Sequence, residues 1–542
     1  MMTVDYIVVG SGSAGGAVAG RLSEDGRHQV LCLEAGDKNE RYIWTLPPAG
    51  SAFLVDHPVA NWRYQSEPHE GHGNRQIYVP RGKLLGGSSA INGVIYNRGQ
   101  QLDYDTWAQM GCRGWSFDDV LPFLKQLEST ELGDDEYRGR SGPIRVNEAS
   151  KISPFYDLFI ESARSAGIPY NADYSGATQE GVAMAQQTVK RGLRQSTATQ
   201  YLAPARKRSN MTILSGAEAS ALVFEGKRCV GVRYERNGRV EEARARREVI
   251  VSCGTANTPK LLELSGIGDP RLLMQHGITP FHGLLGVGEG LRDHYGAILK
   301  WRFNRPGISI ARRGRGWRLM LEILRFALFR QGFISQGIGT IRVFTRSRPE
   351  LENPDIMMVV APYMTEMREG RSRRMSPVEG FFMYSHVQRT ESTGSIHIRS
   401  ASPADPPSIN FRFLQTTNDR ITSIAAVRRA RELIGSPPIA ETIAEELQPG
   451  PHVQTDEEIL AFIRETGQIT HHMVGTCRMG QDDMAVVDER LRVRGLIGLR
   501  IADASIMPTM PSGNTNVPCI MIGEKCAAMV LEDADTAQPP NR

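Results

Sequence analysis

A chain of 542 residues is too long for one simple hydrophobic core, so two or more domains are expected. Its composition, 40% apolar and 23% charged, is ordinary for a globular enzyme. A formal net charge of +4 gives no reason to expect a nucleic acid as partner.

The cysteines and the first residues of the chain indicate in which cellular compartment the protein is expected. The seven cysteines are odd in number and form no C-x-x-C pair, which favours free thiols in a reducing setting. No apolar run approaches the length of a membrane-spanning helix. The first predicted strand begins too close to residue 1 for a cleaved signal peptide. We therefore expect a cytoplasmic protein.

The N-terminal residues predict a β–α–β unit. Residues 6–9 form an apolar strand, and G-x-G-x-x-G follows at 10–15. A helix-like run at 17–23 leads to a second apolar strand at 30–33, which ends at Glu34. In this order the elements are a strong signal for a dinucleotide-binding fold.

Each glycine of the motif has its own task. Gly10 permits a tight turn, Gly12 lets the backbone approach a pyrophosphate, and Gly15 allows close packing of helix and strand. The N–H groups at the start of the helix face the phosphates. Glu34 is placed to bind a ribose diol, which disfavours NADP but leaves FAD and NAD open.

A second glycine-rich stretch covers residues 80–99, after a polar segment that contains residues 61–64. So many small residues indicate a backbone that runs close to a flat or charged ligand. Taken alone, a close-packed loop without a ligand explains this stretch better.

Residues 80–99 resemble the first signature of the glucose–methanol–choline (GMC) oxidoreductase family. Residues 254–268 are similar to the second signature, and 287–294 and 503–508 match further landmarks of the family. The likeness runs in family order from residue 5 to about 530. It points to the choline-dehydrogenase-like and aryl-alcohol-oxidase-like branch, whose cofactor is FAD.

The resemblance implies an α/β chain, α+β overall, with two domains. A Rossmann-like FAD-binding domain is expected from residues 1–150, 205–300 and 468–536. A substrate-binding domain, built on an antiparallel sheet with helices, is expected from 151–204 and 301–467, and a disordered tail from 537–542. Together with the glycine motif, the resemblance places these residues at FAD: Gly10, Gly12, Ser13, Ala14, Gly15, Glu34, Ala35, Trp62, Arg81, Gly82, Leu85, Gly87, Ser88, Asn92, Gly93, Val94, Ala219, Gly254, Asp503, Ala504, Thr515, Asn516 and Val517.

Some relatives attach FAD through a histidine within the first signature. The matching position here is Ile91, which has no nucleophile, so we expect FAD to be bound non-covalently.

Local signals predict several further elements. Ser116 begins a helix, and a second helix is expected near 154–166. Thr455 opens a capping box, S/T-x-x-E, and its helix ends at Gly467. Strands are predicted at 211–214, 219–224, 231–234, 248–251, 355–360, 380–387 and 394–398.

Residues 305–330 combine seven arginines and one acid, Glu322, with large apolar side chains. The simpler interpretation is an amphipathic helix whose arginines are solvated. The alternative is a surface helix that rests on anionic lipid, which would place the protein peripherally at the inner face of a membrane.

The reacting centre is expected in residues 470–480 and 511–518. The family places its catalytic histidine three residues before a Gly-Thr pair, and here that residue is His472. His471 should then face away, because neighbouring side chains of an extended segment point to opposite sides. The second catalytic position of the family, His or Asn, is Asn514.

These residues suit the oxidation of a primary alcohol to an aldehyde. A neutral imidazole takes the hydroxyl proton, an amide stabilises the alkoxide, and the hydride goes to N5 of the flavin. Oxygen, or a quinone or dye, is the expected electron acceptor. The alternative is a non-redox relative such as a hydroxynitrile lyase or a photodecarboxylase. No metal is expected, since no Cys/His ligand spacing is present.

Overall fold

The computed structural model describes residues 2–367 and 373–536, so the expected tail at 537–542 lies outside the described residues. The strands of its two large sheets are, in chain order, β1 (Met2–Val9), β2 (Val30–Glu34), β3 (Gly181–Met184), β4 (Met211–Ser215), β5 (Ala217–Glu225), β6 (Arg228–Arg236), β7 (Arg239–Val251), β8 (Tyr295–Phe303), β9 (Ile341–Thr345), β10 (Ile356–Ala361), β11 (Gly380–Val387), β12 (Ile443–Gln448), β13 (Gln468–Ile469) and β14 (Leu499–Ile501). The longer helices are α1 (Ser13–Leu22), α2 (Gln101–Gln109), α3 (Phe117–Gln126), α4 (Phe155–Ser165), α5 (Gly254–Leu264), α6 (Gly316–Phe329), α7 (Thr417–Ile434), α8 (Asp456–Thr466) and α9 (Asn516–Thr536).

The first sheet has the strand order β4-β2-β1-β7-β6-β5, and β14 pairs with β7. Strands β4, β2, β1, β7 and β14 run parallel, whereas β5, β6 and β7 form an antiparallel meander. All residues of β2 are buried, as expected for a continuous apolar run in a parallel sheet. Helices α1 and α9 pack together beside this sheet, and their first residues are in contact, since the hydroxyl of Ser13 donates to Oδ1 of Asn516 at 2.8 Å.

The second sheet has the order β12-β8-β11-β10-β9-β3, with β13 paired to β8, and every pairing in it is antiparallel. One face packs its apolar side chains, such as Val343 and Met383, against α4 and α7. The opposite face, reached by alternate residues such as Arg342 and Tyr384, borders a large cavity. The mixed α/β class and the antiparallel second sheet are therefore confirmed.

Most of the local signals read from the sequence are also confirmed. Ser116 caps α3 and forms a capping box with Asp119. Thr455 and Glu458 form the second capping box, and Gly467 follows α8 as its C-cap. The predicted strands coincide, to within one or two residues at most ends, with β4, with parts of β5 to β7, with β10 and β11, and with a short strand, Gly394–His397.

Each sheet has its own hydrophobic cluster, and we propose the two clusters as the cores of the two domains. Among the described residues, no helix is both long and apolar enough to cross a bilayer.

Candidate active site

A cavity of about 1250 Å³ is lined by residues of both sheets. Its walls include the glycine motif after β1, the glycine-rich loop at 80–99, and the cavity face of the second sheet. The segments that contain His472 and Asn514 also line it. All the stretches that the sequence singled out as functional therefore meet at one place.

The start of α1 is built to hold a phosphate. Gly10 has φ 95°, and a Cβ there would lie 2.4 Å from the carbonyl oxygen of Ser252. Gly12 is the N-cap of α1, and no side chain caps the free N–H groups of the first turn. A Cβ on Gly12 would meet nothing within 4 Å, because this residue faces the open cavity. A pyrophosphate fits here, on the positive end of the helix dipole.

Gly10, Gly12 and the first turn of α1 form a phosphate cradle, and two further glycines pack closely against it. A Cβ on Gly15 would lie 2.0 Å from the carbonyl oxygen of Gly10, so helix and turn are in direct contact. Gly87 of the second glycine-rich loop has φ 50°, and a Cβ there would lie 2.8 Å from Cα of Gly12. The loop at 80–99 therefore packs directly against the cradle.

Glu34 is buried at the end of β2, and burial raises the pKa of its carboxyl. The carboxylate accepts hydrogen bonds from the N–H and the hydroxyl of Ser11, at 3.1 and 2.5 Å, and from the N–H of Gly36, at 2.8 Å. A carboxylate has about four acceptor positions, so capacity for a ribose hydroxyl remains.

Most of the residues predicted to bind FAD line this cavity. The ones that do so are Gly10, Gly12, Ser13, Ala14, Glu34, Ala35, Trp62, Arg81, Gly82, Gly87, Ser88, Asn92, Gly93, Ala219, Gly254, Asp503, Ala504, Thr515 and Asn516. Gly15, Leu85, Val94 and Val517 are not part of the wall, and the last three are buried in the packing behind it. The cavity, the uncapped helix start and the acid at the end of β2 fit the nucleotide part of FAD.

His472 and Asn514 meet across the cavity, although 42 positions separate them in the chain. Nδ2 of Asn514 donates to Nε2 of His472 at 3.0 Å. Asn514 is held by the loop before α9, where the N–H and hydroxyl of Ser512 both donate to Asp103 at 2.7 Å. The amide oxygen of Asn514 has no hydrogen-bond partner among the described residues.

The neighbouring histidine departs from the expected geometry. His471 has φ 65°, in the left-handed region that residues with a side chain rarely adopt. The chain is therefore not simply extended here, and the alternation of side chains does not by itself decide which histidine faces the reaction. The carbonyl of His471 accepts a hydrogen bond from the guanidinium of Arg81. Such strain is typical of functional sites.

The tautomer of His472 follows from its contacts. Nε2 of His294 lies 2.7 Å from the carbonyl oxygen of Gln388, so this nitrogen carries the proton and donates it. Nδ1 of a neutral His294 is then an acceptor, and it lies 3.0 Å from Nδ1 of His472. Two unprotonated nitrogens would repel at this distance. His472 therefore carries its proton on Nδ1 and leaves Nε2 as a lone pair.

The other contacts agree with this arrangement. Oγ1 of Thr470 lies 2.7 Å from Nδ1 of His472 and 3.2 Å from Oδ1 of Asp293, so its hydroxyl accepts from the ring and donates to the carboxylate. Oδ1 of Asp293 also accepts from the backbone N–H of His472 at 3.0 Å. Burial raises the pKa of Asp293 to about 7.

Burial also keeps the histidines neutral. Burial, followed by the neighbouring rings of His294 and His386, lowers the pKa of His472 well below 6.5. Burial and the nearby His386 lower the pKa of His294 in the same way. An uncharged His472 is thus ready to accept a proton.

The sequence did not identify Asp293, His294 or Gln388 as parts of this site, and it gave Thr470 no role beyond its place in the expected segment 470–480. Asp293 and His294 stand in a segment that was used only as a landmark of the family. Gln388 contributes through its backbone carbonyl, which no side-chain pattern reveals. Among the described residues, no cluster of three His, Cys, Asp or Glu side chains could hold a metal ion.

The fold and the cradle define a dinucleotide-binding protein of mixed α/β type. Family models described as GMC oxidoreductase match residues 4–296 and 390–523. The oxygen-dependent choline dehydrogenase of Brucella ovis is 39% identical over 532 residues, which cover 98% of this chain and 96% of that protein.

Two solved structures are similar over almost the whole chain. The pyridoxine 4-oxidase of Mesorbium loti has a TM-score of 0.86 at 27% identity and covers 97% of this chain and 99% of its own. The formate oxidase of Aspergillus oryzae, described with a modification of its FAD, has a TM-score of 0.91 at 25% identity and covers 98% and 99%. The protein belongs to the GMC oxidoreductase family, and its cofactor is FAD. The resemblance read from the two glycine-rich signatures is confirmed.

Substitutions of Gly12 and Gly15 should have different effects, because Gly12 faces the cavity and Gly15 packs against the turn. We expect Gly12→Val to fold with an unchanged melting temperature as apoprotein but to lose FAD, because its side chain projects into the cavity. We expect Gly15→Ala to lower the stability of the apoprotein, by about 1–3 kcal/mol, because its Cβ collides with the turn. Flavin content and thermal unfolding measure the two effects. A Gly12→Val protein with full flavin content would contradict the assignment.

Proposed function

We propose that the protein oxidises a primary alcohol to an aldehyde, with His472 as the proton acceptor and oxygen as the electron acceptor. The observation that supports this most is the lone pair on Nε2 of His472, which meets an amide donor of Asn514 inside the cavity. FAD, when bound, supplies the acceptor for the two electrons and the hydrogen that leave the alcohol carbon.

The two side chains are complementary to an alcohol. A hydroxyl placed between them donates to Nε2 of His472 and accepts from Nδ2 of Asn514, in place of their direct contact. As the carbon is oxidised, His472 takes the hydroxyl proton and Asn514 stabilises the oxygen that loses it. The imidazolium that results keeps Nδ1–H on Thr470, which in turn donates to the carboxylate of Asp293.

The relatives support this reaction class. Those named above are a dehydrogenase and two oxidases, and nothing in the comparison favours the lyase or photodecarboxylase alternative. The name of the Brucella ovis relative includes oxygen as acceptor, which favours oxygen over a quinone here.

Substitution of the pair tests the assignment. We expect His472→Ala to lose about 10²–10⁴-fold of the rate of flavin reduction by an alcohol, because no other group takes the proton. Asn514→Ala should lose about 10²-fold, because the alkoxide loses its donor. Both should retain FAD. Anaerobic stopped-flow absorbance measures the rates, and the exposed His452→Ala serves as control. A near wild-type rate for His472→Ala would overturn the proposal.

We also propose that FAD is bound without a covalent bond. Ile91, at the position where some relatives attach the cofactor, lines the cavity with a saturated side chain. Acid or a denaturant should therefore release all of the flavin. Centrifugal filtration after denaturation separates the two cases, since flavin that stays with the chain contradicts the proposal.

A second proposal concerns the arginine-rich segment. Helix α6 has only one buried residue, Glu322, and most of its large apolar side chains are exposed. Trp317 is 68% exposed, Leu328 64% and Phe329 66%. Soluble surfaces rarely present so many large apolar side chains together. The sequence left two interpretations open, an amphipathic helix whose arginines are solvated and a helix that rests on anionic lipid, and the exposure of these apolar side chains supports the second.

The neighbouring surface has the same character. Residues 43–53 expose Ile43, Trp44 and Phe53, and the rings of Trp44 and Phe53 stack at 4.3 Å. Both segments contribute to the wall of the cavity, through Trp44 and Phe53 and through Leu319 and Ile323 of α6.

The charges around α6 favour an anionic partner. Arg312 pairs with Glu379 at 2.9 Å, and Arg313 lies 3.8 Å from Glu322. Within the described part of the chain, no carboxylate lies at ion-pair distance from Arg315, Arg318, Arg325 or Arg330. We propose that α6 rests on an anionic lipid surface, with its apolar residues at the acyl boundary and its arginines among the headgroups.

Vesicle sedimentation tests this. We expect the FAD-loaded protein to pellet with phosphatidylglycerol vesicles at low salt and much less with phosphatidylcholine vesicles. Trp317→Glu combined with Phe329→Glu should abolish pelleting. Val240→Glu, an exposed apolar position on β7, should not. Equal pelleting with and without vesicles, or a stable dimer that the double variant dissolves, would contradict a membrane role.

A further inference from the structure

The cavity face of the second sheet carries a row of four side chains. Arg342 on β9 pairs with Val359 on β10, Val359 with Tyr384 on β11, and Tyr384 with Ile298 on β8. Because paired residues of antiparallel strands share a face, all four side chains point to one side, and all four line the cavity. The hydroxyl of Tyr384 donates to the carbonyl of Gln468 at 2.7 Å, just before the segment of His472.

Arg342 is the unusual member of this row. Arg342 is 2% exposed, and its Nη1 donates to the carbonyls of Gly339 and Ile341 at 2.8 and 3.0 Å. Within the part of the chain that the structure describes, its Nε has no hydrogen-bond partner. Burial lowers the pKa of Arg342 to about 10, and of the nearby groups only the phenol of Tyr174 opposes this. No carboxylate of the described residues compensates the charge.

The rest of the wall offers no counter-charge either. Of the described residues, the second sheet contributes two charged side chains to the cavity, Lys300 and Arg342, and both are cations. The acids that line the cavity are outside this sheet and are engaged elsewhere: Glu34 with Ser11, Asp56 with Arg63, Glu218 with Lys83, and Asp503 with Gly254 and Thr258.

A buried cation without a counter-charge is costly, so such a group is retained where an anionic ligand completes it. We propose that Arg342 binds an anionic group of the substrate, so that the protein oxidises alcohols that also carry a carboxylate. This inference rests on the proposed oxidation at His472 and names the class of alcohol that the same cavity takes.

The position of Arg342 fits this role. Its charge reaches His386, whose pKa it helps to lower, although burial has the larger effect. The ring of His386 lies 4.8 Å from that of His294, which contacts His472. Arg342 lies two strands from Tyr384, on the order of 10 Å between backbones. We therefore expect substrates in which a spacer such as a benzene ring separates the hydroxyl, at His472, from the carboxylate, at Arg342.

With Arg342 as an anion site, this protein should prefer a substrate of opposite charge to choline, after which the Brucella ovis relative is named. Choline carries a fixed positive charge, which the buried cation of Arg342 repels. Aromatic side chains of the cavity, such as Tyr384 and Phe382, offer only the weaker cation–π attraction.

Pairs of alcohols that differ in charge alone test the proposal. On the FAD-loaded protein we expect 4-(hydroxymethyl)benzoate to have a KM about ten- to a hundredfold below that of 4-methylbenzyl alcohol. We expect 3,3-dimethylbutan-1-ol, the neutral isostere of choline, to be oxidised better than choline. Arg342→Met should remove the first difference by raising the KM for the carboxylate alone, and Arg342→Lys should restore part of it.

A binding measurement separates this proposal from the proposed chemistry. 4-Methylbenzoate has no hydroxyl, so its binding, measured by calorimetry, does not depend on oxidation. We expect it to bind the wild type and His472→Ala, and to bind Arg342→Met at least tenfold more weakly. Arg346→Met, which removes an arginine paired with Glu180 at 3.0 Å outside the cavity wall, should bind it as the wild type does. Equal binding by wild type and Arg342→Met, or a preference for choline over its neutral isostere, would overturn the proposal.

Discussion

The contact on which the reaction centre depends is the hydrogen bond from Nε2 of His294 to the carbonyl oxygen of Gln388. A backbone carbonyl only accepts, so it determines which nitrogen of His294 carries the proton. That choice determines the tautomer of His472, whose Nδ1–H then faces His294 and Thr470. The lone pair on Nε2 is left beside Asn514, where an alcohol can meet it. Burial lowers the pKa of His294 and His472, so both rings stay uncharged and keep these hydrogen bonds near neutral pH.

The second sheet brings these groups together. Gly296 pairs with His386 on one side and with Gln468 on the other, so the start of β8, the end of β11 and β13 lie at one end of the sheet. His294 precedes Gly296 by two positions, Gln388 follows His386 by two, and His472 follows Gln468 by four. The same face continues through Tyr384 to Arg342. His472, the proposed proton acceptor, and Arg342, the proposed anion site, thus lie at two ends of one surface. The phosphate cradle of the first sheet lines the same cavity.

The sequence was most informative where a residue type is required by covalent geometry or by a repeated local pattern. Gly10, Gly12 and the acid at Glu34 could be predicted because a tight turn and an uncapped helix allow few alternatives. His472 and Asn514 followed from family spacing, and the structure brings them to 3.0 Å. Gln388 could not be predicted because its backbone carbonyl acts, and Arg342 because its lack of a partner is visible only after folding. The alternation applied to His471 assumed an extended chain, which its φ of 65° excludes.

The position of the proton on His472 tests the central claim most directly. Neutron diffraction from crystals of the FAD-loaded protein, grown in heavy water near neutral pH, shows where the exchangeable hydrogens are. We expect deuterium on Nδ1 of His472 and on Nε2 of His294, and none on Nε2 of His472. Deuterium on Nε2 of His472, with Nδ1 bare, would contradict its role as the proton acceptor.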